Sequence, residues 1–294
     1  MYGPVVVGFD DSEHSAHAVA AAVREAQTRA VPLWMVHAYQ WISPVAFGTA
    51  AGIEAEDAAR DQAVALLDKA AGQVRDEHPD LVVQTVPAGG HAAQLLVEAC
   101  PVPSLVVVGG RGHGGFSGLT LGSVALRVLS HSHVPVMVVR GEPRARTGRL
   151  MLGVDLDVPP TGLEVVEFAF DEADRRGADL CAINAWEDPT YLYHPVAAQF
   201  AQDVVARTQA VFCDRMDSQL GPSSKQHPTV GYTRQVLVGS PAGVLIESSQ
   251  LADAVVLGGR LRAAGHEGMR IGAVAHTVLR HAHCPVIIVP EHWH

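Results

Sequence analysis

Long apolar runs are missing from this sequence: none approaches the roughly 20 residues that a membrane-spanning helix needs, so no such helix is expected. Basic charge is scarce as well. Lys and Arg number 21 against 31 Asp and Glu, a formal net charge of −10, and no basic tract offsets it. A nucleic-acid partner is therefore not expected. The four cysteines, Cys100, Cys181, Cys213 and Cys284, make neither a CxxC pair nor a zinc pattern. Each reads as a reduced, mostly buried small residue. Catalytic signatures are absent too: there is no GxSxG elbow and no HExxH. The sequence thus names no catalytic residue, and binding is better supported than turnover. Met1 runs almost directly into Val5–Val7 without a basic segment or a cleavable apolar one, which gives the expectation of a cytoplasmic protein.

What is present describes a folded chain. Hydrophobic residues make up 48% and charged residues 18% of 294 positions, enough for two domains with their own cores. The most informative stretch is Val106 to Val124, VVVGGRGHGGFSGLTLGSV. Its β-branched start reads as a buried parallel strand. Gly109, Gly112, Gly114, Gly115 and Gly118 then let the backbone turn and approach a ligand closely. Gly122 and Ser123 open a helix, whose free N–H groups and positive dipole end favour a phosphate. No Lys follows the last glycine, so this is not a Walker loop, and the spacing is not that of GxGxxG.

The chain also repeats itself. The segment GSVALRVLSHSHVPVMVV from Gly122 aligns without gaps with GAVAHTVLRHAHCPVIIV from Gly272, an offset of 150. VVVGFD, ending at Asp10, answers LMLGVD, ending at Asp155, an offset of 145. A period of this size is a domain duplication, not a solenoid. The polar segment GEPRARTGR, residues 141 to 149, carries no apolar period, and the boundary falls there, giving domains of 1–143 and 144–294.

Within the first copy the pattern alternates. Strands are expected at Val5–Phe9, Leu33–Ala38, Leu81–Val86, Leu105–Val108 and Pro135–Val139. Helices are expected at Ser15–Arg29, Glu54–Val74, His91–Ala99 and Ser123–Ser130, with a loop over 40 to 54. In the second of these, Ala63, Leu66, Leu67 and Ala70 form the apolar side. Such alternation means a parallel sheet covered on both faces by right-handed crossovers. Ligands then sit beyond the carboxyl ends of the strands, where strand order reverses. Asp10 and the loop Gly109–Gly122 both end there and can face one ligand.

The spacing Gly109-x2-Gly112-x9-Gly122-Ser123 resembles the nucleotide-binding signature of the universal stress protein family, and the likeness extends over essentially the whole chain. The resemblance implies an α/β protein of two tandem flavodoxin-like or Rossmann-like units, each with a five-stranded parallel sheet and helices on both faces. It implies an ATP-binding regulator of stress or dormancy responses, with or without Mg2+. Nucleotide occupancy would bias conformation or the surface shown to protein partners, whose identity the sequence does not give. By similarity the two units pair about a pseudo-two-fold axis through Pro135–Val139 and Pro285–Val289, and a homodimer of chains is compatible with this. Two rival readings stand beside it: an enzyme using ATP, either a slow ATPase or a nucleotidyl transferase, and a scaffold without nucleotide.

In the family the Asp of the VGxD segment lines the pocket, which here is Asp10 after Gly8. Val36 matches the position that meets adenine. Gly109, Gly112, Gly122, Ser123 and Val124 match the phosphate loop and its helix, and Ser123 is expected to cap that helix while binding phosphate. Arg111 and His113 lie within the loop as donors.

The second copy keeps Asp155, Gly258 and Gly272. Leu261 stands where Gly112 stood, Ala273 replaces Ser123, and Arg260, Arg262 and Arg270 add positive charge. The second unit is therefore expected to bind nucleotide weakly, differently or not at all. The pairs His131/His133 and His281/His283 precede the last strand of each copy. Read as extended chain they would share a face, but nothing completes a metal site, and they are taken as structural turns.

Overall fold

The structure is a computed structural model, and it describes residues 3–39, 50–112, 121–140, 144–156, 161–187, 198–261 and 269–291. The chain divides into two compact units: Met1–Pro143 belongs to the first, Arg144–Leu261 and Arg270–His294 to the second. Among the described residues no helix is long and apolar enough to cross a membrane.

The first unit runs β1 (Val5–Gly8), α1 (Glu13–Arg29), β2 (Leu33–Tyr39), α2 (Ala50–Glu77), β3 (Val83–Gly89), α3 (Ala92–Glu98), β4 (Leu105–Gly109), α4 (Ser123–His131) and β5 (Val136–Val139). Its strands lie in the order β3-β2-β1-β4-β5, all parallel. The three valines of β1 and residues Leu105 to Val107 of β4 are fully buried, as parallel strands covered on both faces must be. Strand order reverses between β1 and β4. The crevice beyond their carboxyl ends is the place such a sheet offers a ligand.

The second unit repeats the plan with β6 (Arg149–Gly153), α5 (Leu163–Arg176), β7 (Asp179–Trp186), α6 (Ala198–Gln226), β8 (Tyr232–Val238), α7 (Pro241–Ser248), β9 (Ala254–Leu261), a two-residue β10 (Met269–Arg270), α8 (Ala273–His281) and β11 (Val286–Pro290). The order is β8-β7-β6-β9-β11, again parallel. Two five-stranded α/β units in tandem are what the alternation and the internal repeat imply.

Boundaries differ where local chemistry intervenes. Leu81 belongs to a turn, its N–H donating to the His78 carbonyl at 3.0 Å, so β3 begins only at Val83. Helix α2 starts at Ala50, before the expected Glu54. Its buried stripe is Ala63, Leu67, Ala71 and Val74, at steps of four, four and three, in place of the expected set with Leu66 and Ala70. His131 is the last residue of α4 and Ser132 its C-cap, so His131 is helical and not part of an extended pair. Its Nδ1 lies 2.7 Å from the Arg127 carbonyl.

One aromatic in the second unit makes a testable point. The Tyr232 hydroxyl is buried without a hydrogen-bond partner among the described residues, and its ring lies 5.7 Å from that of Phe170. Burial, and then the Asp217 carboxylate, push the phenol up to about 12. In the unfolded chain a tyrosine titrates near 10. Between about 10 and 12 the unfolded chain therefore gives up a proton that the folded one keeps, and stability falls as pH rises through that window. Tyr232→Phe should flatten this alkaline fall and cost little at neutral pH, because no hydrogen bond is lost. Alkaline unfolding midpoints of the two proteins check it.

Candidate functional site

The crevice of the first unit is built from three chain segments. The first is the turn after β1. Asp10 Oδ1 accepts from the Ser12 N–H at 3.1 Å and from the Ser12 hydroxyl at 2.5 Å. Ser12 in turn caps α1, its Oγ accepting from the Ser15 N–H at 3.2 Å. The turn is strained at Asp11, a non-glycine residue with φ of 62°. Asp10 is thus held by the same residue that starts the helix.

The second segment is the base of the glycine loop. A Cβ at Gly109 would lie 2.8 Å from the His14 carbonyl oxygen of α1, so only glycine lets the end of β4 pass the helix. Gly110 donates to the Val139 carbonyl at 2.8 Å, and Gly122 donates to the Gly110 carbonyl at 2.7 Å. The loop therefore leaves and returns across a single closed base. A Cβ at Gly112 would lie 2.5 Å from Asp10 Oδ2. The acid and the glycine loop, 102 positions apart in the sequence, meet face to face.

The third segment is the start of α4. Gly122 is its N-cap, with φ of −74°, and among the described residues no side chain caps it. Ser123 is the first helical residue, so its hydroxyl does not perform the capping expected of it. The first intrahelical bond runs from the Leu126 N–H to the Gly122 carbonyl at 3.2 Å. The amides of Ser123, Val124 and Ala125 precede it and have no partner within the helix. Ser123 and Val124 are exposed, which leaves this helix end open to an anion.

Other expected residues fall into place differently. Gly8 ends β1, and a Cβ there would lie 3.1 Å from Leu96 Cδ1, so its size serves the packing of α3. Val36 is 2% exposed, and its carbonyl accepts from the Phe9 N–H at 2.9 Å. His113 lies outside the described residues.

Two residues at this site were not read from the sequence. His37 Nδ1 lies 2.8 Å from the Phe9 carbonyl oxygen, tying the end of β2 to the turn that carries Asp10. Arg140 follows β5, and a Cβ at Gly110 would lie 3.3 Å from its Cγ. Burial, and then the Arg111 guanidinium, hold Arg140 below the usual arginine range. Two guanidinium groups therefore gather at the loop base, an arrangement that an anion would relieve.

The second unit keeps the frame and changes the charge. Asn184 Nδ2 donates to the Val154 carbonyl at 2.9 Å, answering His37. Asp155 is exposed; its N–H donates to Thr161 Oγ1 at 2.8 Å, and its carbonyl accepts from the Thr161 N–H at 2.9 Å. Gly162 caps α5 and Gly272 caps α8, neither with a side chain. Gly258 lies opposite Val289 in register, as Gly109 lies opposite Val139. Arg260 is 54% exposed, and the Glu291 carboxylate stands 4.0 Å from its Nε. Arg262 is outside the described residues. Among the described residues no group of three or more His, Cys, Asp or Glu is placed to hold a metal ion.

Comparison with known proteins gives a consistent result. The profile of the universal stress protein family matches residues 1–140 and again residues 147–290. The chain is 33% identical to universal stress protein Rv2623 of Mycobacterium tuberculosis, over 98% of this chain and 96% of that one. It is also 33% identical to universal stress protein Rv1996 of the same organism, covering 97% and 94% of the two chains. Among solved structures, a universal stress protein from Archaeoglobus fulgidus superposes with a TM-score of 0.68 at 18% identity, covering 98% of each chain. That last likeness concerns the fold.

Proposed function

The chain belongs to the universal stress protein family as two tandem copies, and from that premise we propose that its first unit binds an adenine nucleotide, ATP foremost, in the crevice between β1 and β4. The observation that carries this reading is the meeting of Asp10 with Gly112, where a Cβ would collide with the carboxylate at 2.5 Å. A backbone kept bare beside an acid is what a ligand lying against main chain requires. The amides of residues 123 to 125 and the guanidinium groups of Arg111 and Arg140 take the phosphates. Asp10 Oδ2 takes ribose hydroxyls, since a carboxylate accepts and ribose donates. An accompanying Mg2+ would be held mainly by phosphate oxygens, as is usual for this ion.

The role is that of a switch in the cytoplasm, with occupancy changing the surface offered to a protein partner. Asp10 Oδ1 already accepts from Ser12, which suits a positioning acid and not a base that activates water. We therefore read the site as one for binding and not for turnover.

The test is chemical identification. Protein purified in the cold without added nucleotide is denatured, and the released small molecules are identified by mass spectrometry. An adenine nucleotide is the expected finding. Its absence, together with no measurable binding when ATP and Mg2+ are titrated in, would overturn the proposal.

A further inference from the structure

Strand β1 leaves the sheet through a bond that the neighbouring backbone does not provide. The Phe9 N–H donates to the Val36 carbonyl at 2.9 Å, continuing the ladder that pairs Gly8 with Val36. The Phe9 carbonyl finds its partner in the next residue of β2, His37, whose Nδ1 lies 2.8 Å away. The second unit builds the same step at the same register. Gly153 pairs with Ile183, the Val154 N–H donates to the Ile183 carbonyl at 2.8 Å, and Asn184 Nδ2 donates to the Val154 carbonyl at 2.9 Å. Histidine and asparagine share little beyond a polar hydrogen at this reach, so the donor is what the two copies keep. Asn184 keeps it although its Oδ1 is buried without a partner among the described residues, an arrangement that costs stability.

We propose that His37 is a positioning residue for the nucleotide site: by donating from Nδ1 to the Phe9 carbonyl it fixes the peptide plane from which Asp10 hangs. The proposal rests on the nucleotide reading of the first crevice and names the residue that sets its acid. A peptide unit is planar, so a hold on the Phe9 oxygen also orients the N–H and Cα of Asp10. The acid has little room to adjust. Its Oδ1 accepts from Ser12, and its Oδ2 would stand 2.5 Å from a Cβ at Gly112. A carbonyl only accepts, so Nδ1 carries the proton, and the neutral ring is the Nδ1–H tautomer with its lone pair on Nε2.

Four full-length proteins test this: wild type, His37→Leu, His37→Asn and Asn184→Leu. Titration calorimetry with ATP and Mg2+ reads affinity. Hydrogen exchange of the Ser12 amide, which donates to Asp10 Oδ1 at 3.1 Å, reads the turn without nucleotide. His37→Leu should weaken ATP binding about 10-fold and speed that exchange by a similar factor, the effect of one hydrogen bond. His37→Asn should restore affinity to within about 3-fold of the wild type, since the second copy uses asparagine for the same bond. Asn184→Leu should lower the melting temperature and leave ATP affinity and Ser12 exchange unchanged, which separates positioning from stability. Nitrogen NMR of the wild type at about pH 9, above the usual histidine range, should find the His37 proton on Nδ1; this readout needs no variant to fold. The proposal is overturned by a folded His37→Leu protein that binds ATP like the wild type, by a His37→Asn protein as weak as His37→Leu, by an Asn184→Leu protein weakened equally, or by a neutral His37 protonated on Nε2. A wild type that binds no ATP removes the reading of the crevice instead, and Ser12 exchange in the two His37 variants then decides the positioning by itself.

Discussion

Gly112→Val is expected to weaken affinity for ATP by about 100-fold, close to 3 kcal/mol, with little change in melting temperature. The magnitude follows from where the new side chain must go. Its Cβ alone would sit 2.5 Å from Asp10 Oδ2, far inside van der Waals contact, and the two γ-methyl groups add to the conflict. Asp10 cannot retreat freely, because its other oxygen is bound to both the amide and the hydroxyl of Ser12. Moving it disturbs a helix cap worth about 1 kcal/mol. The loop yields instead, carrying its amides away from the phosphates, and a lost hydrogen bond to a charged group costs roughly 1.5–3 kcal/mol. Folding is spared because Gly112 lies beyond the closed base formed by Gly110 and Gly122. Asp10→Ala alone should weaken binding by about 10- to 100-fold, through one charged hydrogen-bonding group. In the double variant the clash is gone, so the two effects should sum to less than additivity requires. Calorimetric titration of the three variants, with melting curves alongside, reads all of this. A Gly112→Val protein that binds ATP like the wild type would remove the contact between acid and loop from the explanation.

How much of this was legible beforehand differs from element to element. The VVV runs, the glycine spacing and the 150-residue offset are local patterns, and they were sufficient for two α/β units and for a crevice shared by Asp10 and the loop. The apolar positions Ala18, Val19, Ala22, Val23 and Ala26 of α1 are all buried, as their helical spacing demands. What could not be read depends on register. Arg140 reaches the loop base because Gly109 pairs with Val139, and no pattern within either segment encodes that pairing. Glu291 is hidden for the same reason: nothing in its own segment places it beside Arg260. His37 sits in an apolar strand as a lone polar residue; only the matching position of Asn184 in the second copy hints at its bond to the preceding strand's turn. Ser123 misled because a hydroxyl at a helix start resembles a cap, whereas the residue in cap geometry is Gly122. The buried glutamates Glu25 and Glu172 were missed because helical periodicity assigns charge to solvent.

Those glutamates carry the second large effect: replacing both Arg175 and Arg176 by Ala destabilises the second unit by about 3–5 kcal/mol. Glu172 is 0% exposed. Its Oε1 accepts from Arg176 Nε at 2.7 Å and its Oε2 faces Arg175 Nη1 at 3.4 Å. Arg175 also reaches Asp171 at 3.2 Å. The first unit repeats the device, with Glu25, 6% exposed, paired to Arg29. In both helices the pair ends one residue before a left-handed C-cap, Ala30 with φ of 53° and Gly177 with φ of 59°. The arginines thus stand in the last turn, where the helix dipole also favours a cation. Truncating both takes two cations away from a Glu172 carboxylate that stays in the core, which is the costly half of breaking a buried ion pair. The reverse change is mild. Glu172→Met removes the charge at similar length, and the side chains of Arg175 and Arg176, 22% and 12% exposed, can turn their charged ends to water. Its expected cost is about 1 kcal/mol or less. Urea unfolding followed by circular dichroism separates the two cases by midpoint at constant slope. Equal destabilisation by the two replacements would mean that packing, and not the stranded charge, sets the stability of this helix.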